Sequence, residues 1–230
     1  AAPGSRRGSV SSAYARMMRG AAALASGLGR QPPLRPERHG LEITRDVAYR
    51  EGGDRFQHLD VYRPRDPGSP LPALLYLHGG GFQFFDKASH WSLAARFARA
   101  GAVVFNANYR LAPAHPYPAA AEDAAAAFLW VVRHAARFGA DPTGLVVAGE
   151  SAGANLSLAL SVAACWPRPE PWAQAVFAAG VAPRVVLPAC GFLDLTRPER
   201  FTTAHPFVRE RIRVICAAYL PPAGEPAAPC

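Results

Sequence analysis

The run Val146-Val147-Ala148-Gly149-Glu150-Ser151-Ala152-Gly153-Ala154-Asn155 sets one serine between a β-branched segment and an Ala/Leu-rich one, with glycine two places to either side. This pattern fits a strand that turns abruptly into a helix, Gly149 and Gly153 keeping side chains away from a serine exposed at the corner. N–H groups at the start of the following helix lack intrahelical acceptors and carry the positive end of the helix dipole. Negative charge developing on a substrate at that corner would meet them, as acyl transfer requires. In a chain with 20 glycines the same pattern also suits a small-residue turn after a buried strand, so it needs a partner elsewhere.

That partner comes earlier in the chain. Residues 73–77 form a continuous apolar run, suited to a strand buried on both faces, and lead into His78-Gly79-Gly80-Gly81-Phe82. Three adjacent glycines let the backbone approach a ligand and present its N–H groups, and no Gly-Lys-Ser/Thr ending follows to suggest a phosphate loop. Around these motifs, residues 43–49 and 56–62 read as a hairpin. Strands are predicted over 102–106, 144–149 and 184–189, and helices over 91–100, 118–138, 152–166 and 206–220, with a proline-punctuated stretch after Trp166. Strands alternating with helices predict an α/β fold whose mostly parallel sheet is covered on both faces and binds ligands at the carboxyl ends of its strands. Both glycine motifs fall at such ends.

Composition narrows the function classes. The 230 residues are 50% hydrophobic, enough for a substantial core, and the net charge of +8 comes from scattered arginines, Lys87 being the only lysine. Without a dense basic cluster in the body of the chain, nucleic-acid binding is not expected. Cys165, Cys190, Cys216 and Cys230 match no zinc or redox spacing, so neither a metal nor a cofactor is expected. No run approaches the roughly twenty apolar residues of a membrane span, and a cytoplasmic protein is expected. Residues 1–40 carry Arg6, Arg7, Arg16, Arg19, Arg30, Arg35 and Arg38 with no acid before Glu37. They read as a basic arm with a helix over 11–28 packed on the domain and a proline-rich linker, followed by the α/β domain over 41–230.

Three motifs together resemble the α/β-hydrolases of the hormone-sensitive-lipase-like esterase branch: His78-Gly79-Gly80-Gly81; Tyr109-Arg110-Leu111-Ala112-Pro113 with His115-Pro116-Tyr117-Pro118-Ala119; and Gly149-Glu150-Ser151-Ala152-Gly153. Ala114 stands where that family usually has glutamate. The resemblance implies an α/β-hydrolase fold and a serine carboxylic-ester hydrolase acting on small, short-acyl esters. It implies Ser151 as nucleophile and the N–H groups of Gly80, Gly81 and Ala152 as the oxyanion hole, with His78 and Gly79 shaping the loop. His78 is read as a structural residue that pins the loop. Arg110 and Glu150 are each expected just beyond a strand end, where they would pair and brace the serine turn.

A serine hydroxyl also needs a base and an orienting acid, expected after it in the order acid, histidine. The only aspartate after Ser151 is Asp194 and the only histidine His205; they satisfy that order and are the candidate acid and base within the chain, although no strand pattern separates them. The preferred expectation is that the last strands, with the true pair, lie beyond Cys230, so that this chain is a fragment holding a nucleophile and oxyanion hole. The alternative from another class is a non-catalytic small-molecule receptor on the same fold, resembling the plant hormone receptors that have lost the histidine.

Overall fold

The computed structural model describes residues 12–31, 34–52, 54–197 and 206–220. Six strands form one sheet: β1 (Leu41–Ala48), β2 (His58–Pro64), β3 (Leu71–Leu77), β4 (Val103–Ala107), β5 (Ala140–Glu150) and β6 (Val185–Ala189), in the order β1-β2-β4-β3-β5-β6. β1 and β2 make the expected antiparallel hairpin and β2 also runs antiparallel to β4, whereas β4, β3, β5 and β6 are parallel neighbours. The sheet is therefore mostly parallel toward β6, as the strand and helix alternation predicts.

Side chains that alternate along β3 build the two faces. Ala73, Leu75 and Leu77 point into a large core with Phe105 of β4 and Val147 of β5, closed by α3 (Ala119–His134), α4 (Ala152–Cys165), α5 (Pro171–Ala178) and α6 (Pro206–Tyr219). Leu74 and Tyr76 point the other way, into a smaller core under α2 (Trp91–Arg99). Leu75 and Leu77 are fully buried, and burying a leucine side chain of this kind contributes about 2 kcal/mol.

Most element boundaries fall close to those expected; β5 begins at Ala140, four residues before the predicted strand, and two further differences stand out. The helix predicted over 118–138 ends at His134 and tightens into a 3₁₀ turn, Ala135–Phe138, before Gly139 turns the chain in the left-handed region (φ 73°). α5 was not anticipated within the proline-punctuated stretch. Pro171 occupies its first turn, where the missing N–H is one a helix leaves unsatisfied anyway. The arm helix α1 (Ser12–Leu28) docks on the domain through Trp91, whose Nε1 donates to the Ala25 carbonyl at 2.9 Å.

Candidate active site

The site is assembled by register. Leu77 at the end of β3 lies opposite Gly149 near the end of β5, and opposite Ala107 at the end of β4. All three motif loops thus leave adjacent parallel strands at the same sheet edge. Ser151 follows β5 directly and holds φ 51°, ψ −111°, a conformation costly for any residue with a side chain. The corner is fixed from both sides. The Ser151 N–H donates to the Ala189 carbonyl of β6 at 2.8 Å, and its own carbonyl accepts from Asn155 N in the first turn of α4 at 3.2 Å.

Gly153 shows why the serine's neighbours are small. A Cβ there would overlap the Leu77 carbonyl and come within 2.7 Å of the His78 oxygen, so the first turn of α4 touches the exit of β3. The strand end and the serine corner are therefore in van der Waals contact. Gly80 holds φ 120°, open only to glycine at low cost, and turns the loop back so that its carbonyl accepts from Gln83 N and Phe84 N. Among the described residues no acceptor takes the N–H groups of Gly80, Gly81 or Ala152. Phe82, the next residue, stacks on Tyr219 of α6 with ring centroids 3.7 Å apart, which holds the loop from the outside.

His78 is buried beneath this loop. Its Nδ1 lies 2.7 Å from the Gly79 carbonyl, which can only accept, so Nδ1 carries the proton. The ring stacks on Tyr109 at 4.3 Å, and the Tyr109 hydroxyl donates to the His78 carbonyl at 2.6 Å. Burial, reinforced by His90 nearby, lowers the His78 pKa to about 4, which keeps the imidazole neutral. These contacts pin the loop against Tyr109 and the exit of β3.

Arg110 and Glu150 do not form the expected pair. Arg110 is held by Asp123 of α3, with Nε to Oδ2 at 2.8 Å and a guanidinium N–H to Oδ1 at 2.9 Å, and by Glu122 at 2.9 Å. The Asp123 carboxylate raises the arginine's pKa further. The reason is topological: Arg110 follows β4 and Glu150 ends β5, and β3 lies between those strands. Glu150 turns instead to His90, Oε1 to Nε2 at 3.3 Å, and the hydrogen bond from His90 depresses its pKa below the usual carboxylate value. The Glu150 carboxylate also lies against the Gly79 backbone, linking the serine turn to the glycine loop.

Asp194, in the loop after β6, accepts from the Thr196 N–H at 3.1 Å and from its hydroxyl at 2.6 Å. His205 and Cys230 lie outside the described residues. Among the described residues no histidine or carboxylate hydrogen-bonds the Ser151 hydroxyl, and no cluster of His, Cys, Asp or Glu could hold a metal ion. Sequence reasoning missed His90 and Asp123. Asp123 carried one legible signal, as an acid amid alanines on the inward face of a helix.

Residues 74–229 match a protein family described as the alpha/beta hydrolase fold. The chain belongs to that family. Among curated relatives, this hydrolase-fold chain is 43% identical over 102 residues to carboxylesterase NlhH of Mycobacterium tuberculosis, a match covering 44% of this chain and 32% of the relative. It is 46% identical over 131 residues to esterase LipI of the same organism, covering 56% of this chain and 40% of the relative. The chain thus matches less than half the length of either relative. Among solved structures it resembles a bacterial heroin esterase (25% identity, TM-score 0.64, 92% of this chain and 62% of that one). It also resembles a hyperthermophilic esterase from Pyrobaculum calidifontis, with the same identity and TM-score over 93% of this chain and 64% of that one. The expected esterase-like hydrolase family and fold are both borne out.

Proposed function

We propose that Ser151 is the nucleophile of a carboxylic-ester hydrolase acting on small, short-acyl esters. The observation that carries this reading is the strained Ser151 backbone at the end of β5, beside a glycine loop whose N–H groups no acceptor among the described residues takes. The Ser151 Oγ attacks the ester carbonyl while a histidine base, which none of the described residues supplies, takes its proton. The tetrahedral oxyanion is held by the N–H groups of Gly80, Gly81 and Ala152, each such donor contributing about 3 kcal/mol to the transition state. The base then returns its proton to the departing alcohol, leaving an acyl-Ser151 ester, and water activated by the same base releases the acid. The Glu150 carboxylate, held by His90 and lying against the Gly79 backbone, acts as a brace that keeps the two halves of the oxyanion hole in register.

Two measurements on the full chain test this. A fluorophosphonate probe is expected to bond to Ser151, identified by peptide mass, and Ser151→Ala is expected to abolish labelling. In a preparation that hydrolyses p-nitrophenyl butyrate, the same substitution should lower kcat about a million-fold. Labelling elsewhere, or turnover that survives Ser151→Ala, would sink the assignment.

A further inference from the structure

One side of α1 faces away from the domain. Its inner side is anchored: the Tyr14 ring meets Phe84 edge-on at 5.9 Å, the Arg211 guanidinium sits 3.6 Å over that ring, and Trp91 holds Ala25. Its outer side carries Met17, Ala21, Leu24 and Leu28, spaced i, i+4, i+7 and i+11, which stacks them in one stripe along the helix. All four are exposed, Met17 by 59% and Leu24 by 66%, and Leu34 beyond the helix adds another exposed leucine. A helix apolar on the side that faces water is unusual for a surface helix, whose outer side is ordinarily polar.

The charges on the helix itself have one sign. Arg16 and Arg19 flank it on the helix, and the sequence has no acid before Glu37. Immediately after Leu28, Gly29 and Arg30 begin the wall of a hollow of about 590 Å³ into which Arg30, Arg35, Arg38, Arg45 and Arg65 converge. Glu37 is its single carboxylate and is taken by Arg45 at 2.7 Å. Arg35 and Arg65 donate to main-chain carbonyls, of Arg30 and Glu37 respectively, and none of Arg30, Arg35, Arg38 or Arg65 has a carboxylate partner among the described residues. Guanidinium groups gathered without counter-charges suit phosphate oxygens, which they bind in fork geometry.

We propose that α1 and the adjoining arginine hollow form an interfacial docking surface for an anionic phospholipid bilayer. Met17, Leu24 and Leu28 enter the acyl boundary, and arginines of the hollow hold headgroup phosphates. Charge complementarity selects this occupant. An apolar stripe alone would suit another protein, and a basic hollow alone a soluble anion, but an apolar helix face flanked by arginines is the arrangement that lies in a lipid interface. No helix among the described residues is long and apolar enough to cross a membrane. The proposal does not depend on Ser151 being catalytic, because it concerns binding alone.

Flotation of the full chain with vesicles of equal parts phosphatidylglycerol and phosphatidylcholine, against vesicles of phosphatidylcholine alone, tests it without any variant. The chain is expected to float with the anionic vesicles, to release as salt is raised, and to stay behind with the zwitterionic ones. Met17→Glu/Leu24→Glu and Arg30→Glu/Arg38→Glu alter exposed residues, so their circular dichroism and thermal unfolding should match the parent. Each should lower the partition coefficient by about tenfold or more. Three outcomes would overturn the proposal: equal recovery with both vesicle types; wild-type flotation of both variants; or a dimer in sedimentation velocity that Met17→Glu/Leu24→Glu dissolves, which would give the stripe to a second copy. Tight binding of inositol hexakisphosphate without flotation would also overturn it, in favour of a soluble polyanion.

Discussion

At the scale of single residues, His78 is a structural group that records pH. Its imidazole is buried and neutral, with a folded pKa near 4 against an ordinary 6.5. The unfolded chain binds a proton between those values and the folded chain does not. The stability that depends on this neutrality is therefore complete above pH 6.5 and is lost as pH falls toward 4, about 3 kcal/mol in all. Urea unfolding at pH 7.5 and pH 4.5 is expected to show about 2.5 kcal/mol of this loss in the parent. The loss should be smaller in His78→Asn, which keeps a donor for Gly79 but cannot titrate. Equal losses in the two proteins would place the acid sensitivity elsewhere. Much at this scale was legible in the sequence, because a serine between flanking glycines and three glycines after a buried strand each admit few backbone geometries. The partner of Glu150 was not legible. Which side chain reaches a carboxylate depends on lateral strand order, and the sequence does not state that β3 separates Arg110 from Glu150.

At the scale of elements, α3 is tied to the exit of β4 by one buried carboxylate. Asp123 is fully buried and accepts from the Arg110 backbone N–H, its guanidinium and the Gln57 amide, so one acid joins α3, the loop after β4 and the turn before β2. Removing one partner from such a cluster strands the others. Asp123→Ala is expected to cost about 3 to 5 kcal/mol in chemical denaturation, because Arg110 keeps only the partly exposed Glu122 and Gln57 loses its acceptor. Replacing the pair together, as Arg110→Met/Asp123→Leu, should recover a large part of that loss, since neither charge is then left alone. A double variant as unstable as the single one would show that the Gln57 contact, rather than the ion pair, is the critical link. The elements themselves were read from apolar period and from glycine and proline stops. α5 escaped because prolines at 167, 169 and 171 look like linker chemistry until the last is seen opening a helix.

At the scale of the whole molecule, the centre and the β6 edge of the sheet are unequally protected. β3 and β4 are almost entirely buried, whereas β6 pairs with β5 on one side and has no strand on the other among the described residues. Val185 and Leu187, two apart and so on one face, are 45% and 42% exposed. Strand alternation disclosed the fold class and placed both glycine motifs at strand ends. It could not disclose the order of the strands, because order is set by pairing between segments far apart in the chain. An unpaired edge with apolar side chains is a template for another copy. The 230-residue chain is therefore expected to associate as its concentration rises, followed by static light scattering, and Leu187→Lys is expected to suppress this by placing a charge on the open edge. The same substitution lies on an exposed surface and should shift unfolding by no more than about 0.5 kcal/mol. Association of Leu187→Lys at the parent's concentration would move the sticky surface away from β6. The exposed stripe of α1, tested by Met17→Glu/Leu24→Glu in the same scattering measurement, would then be the next surface to examine, and its relief of association would count against lipid as the occupant of that stripe.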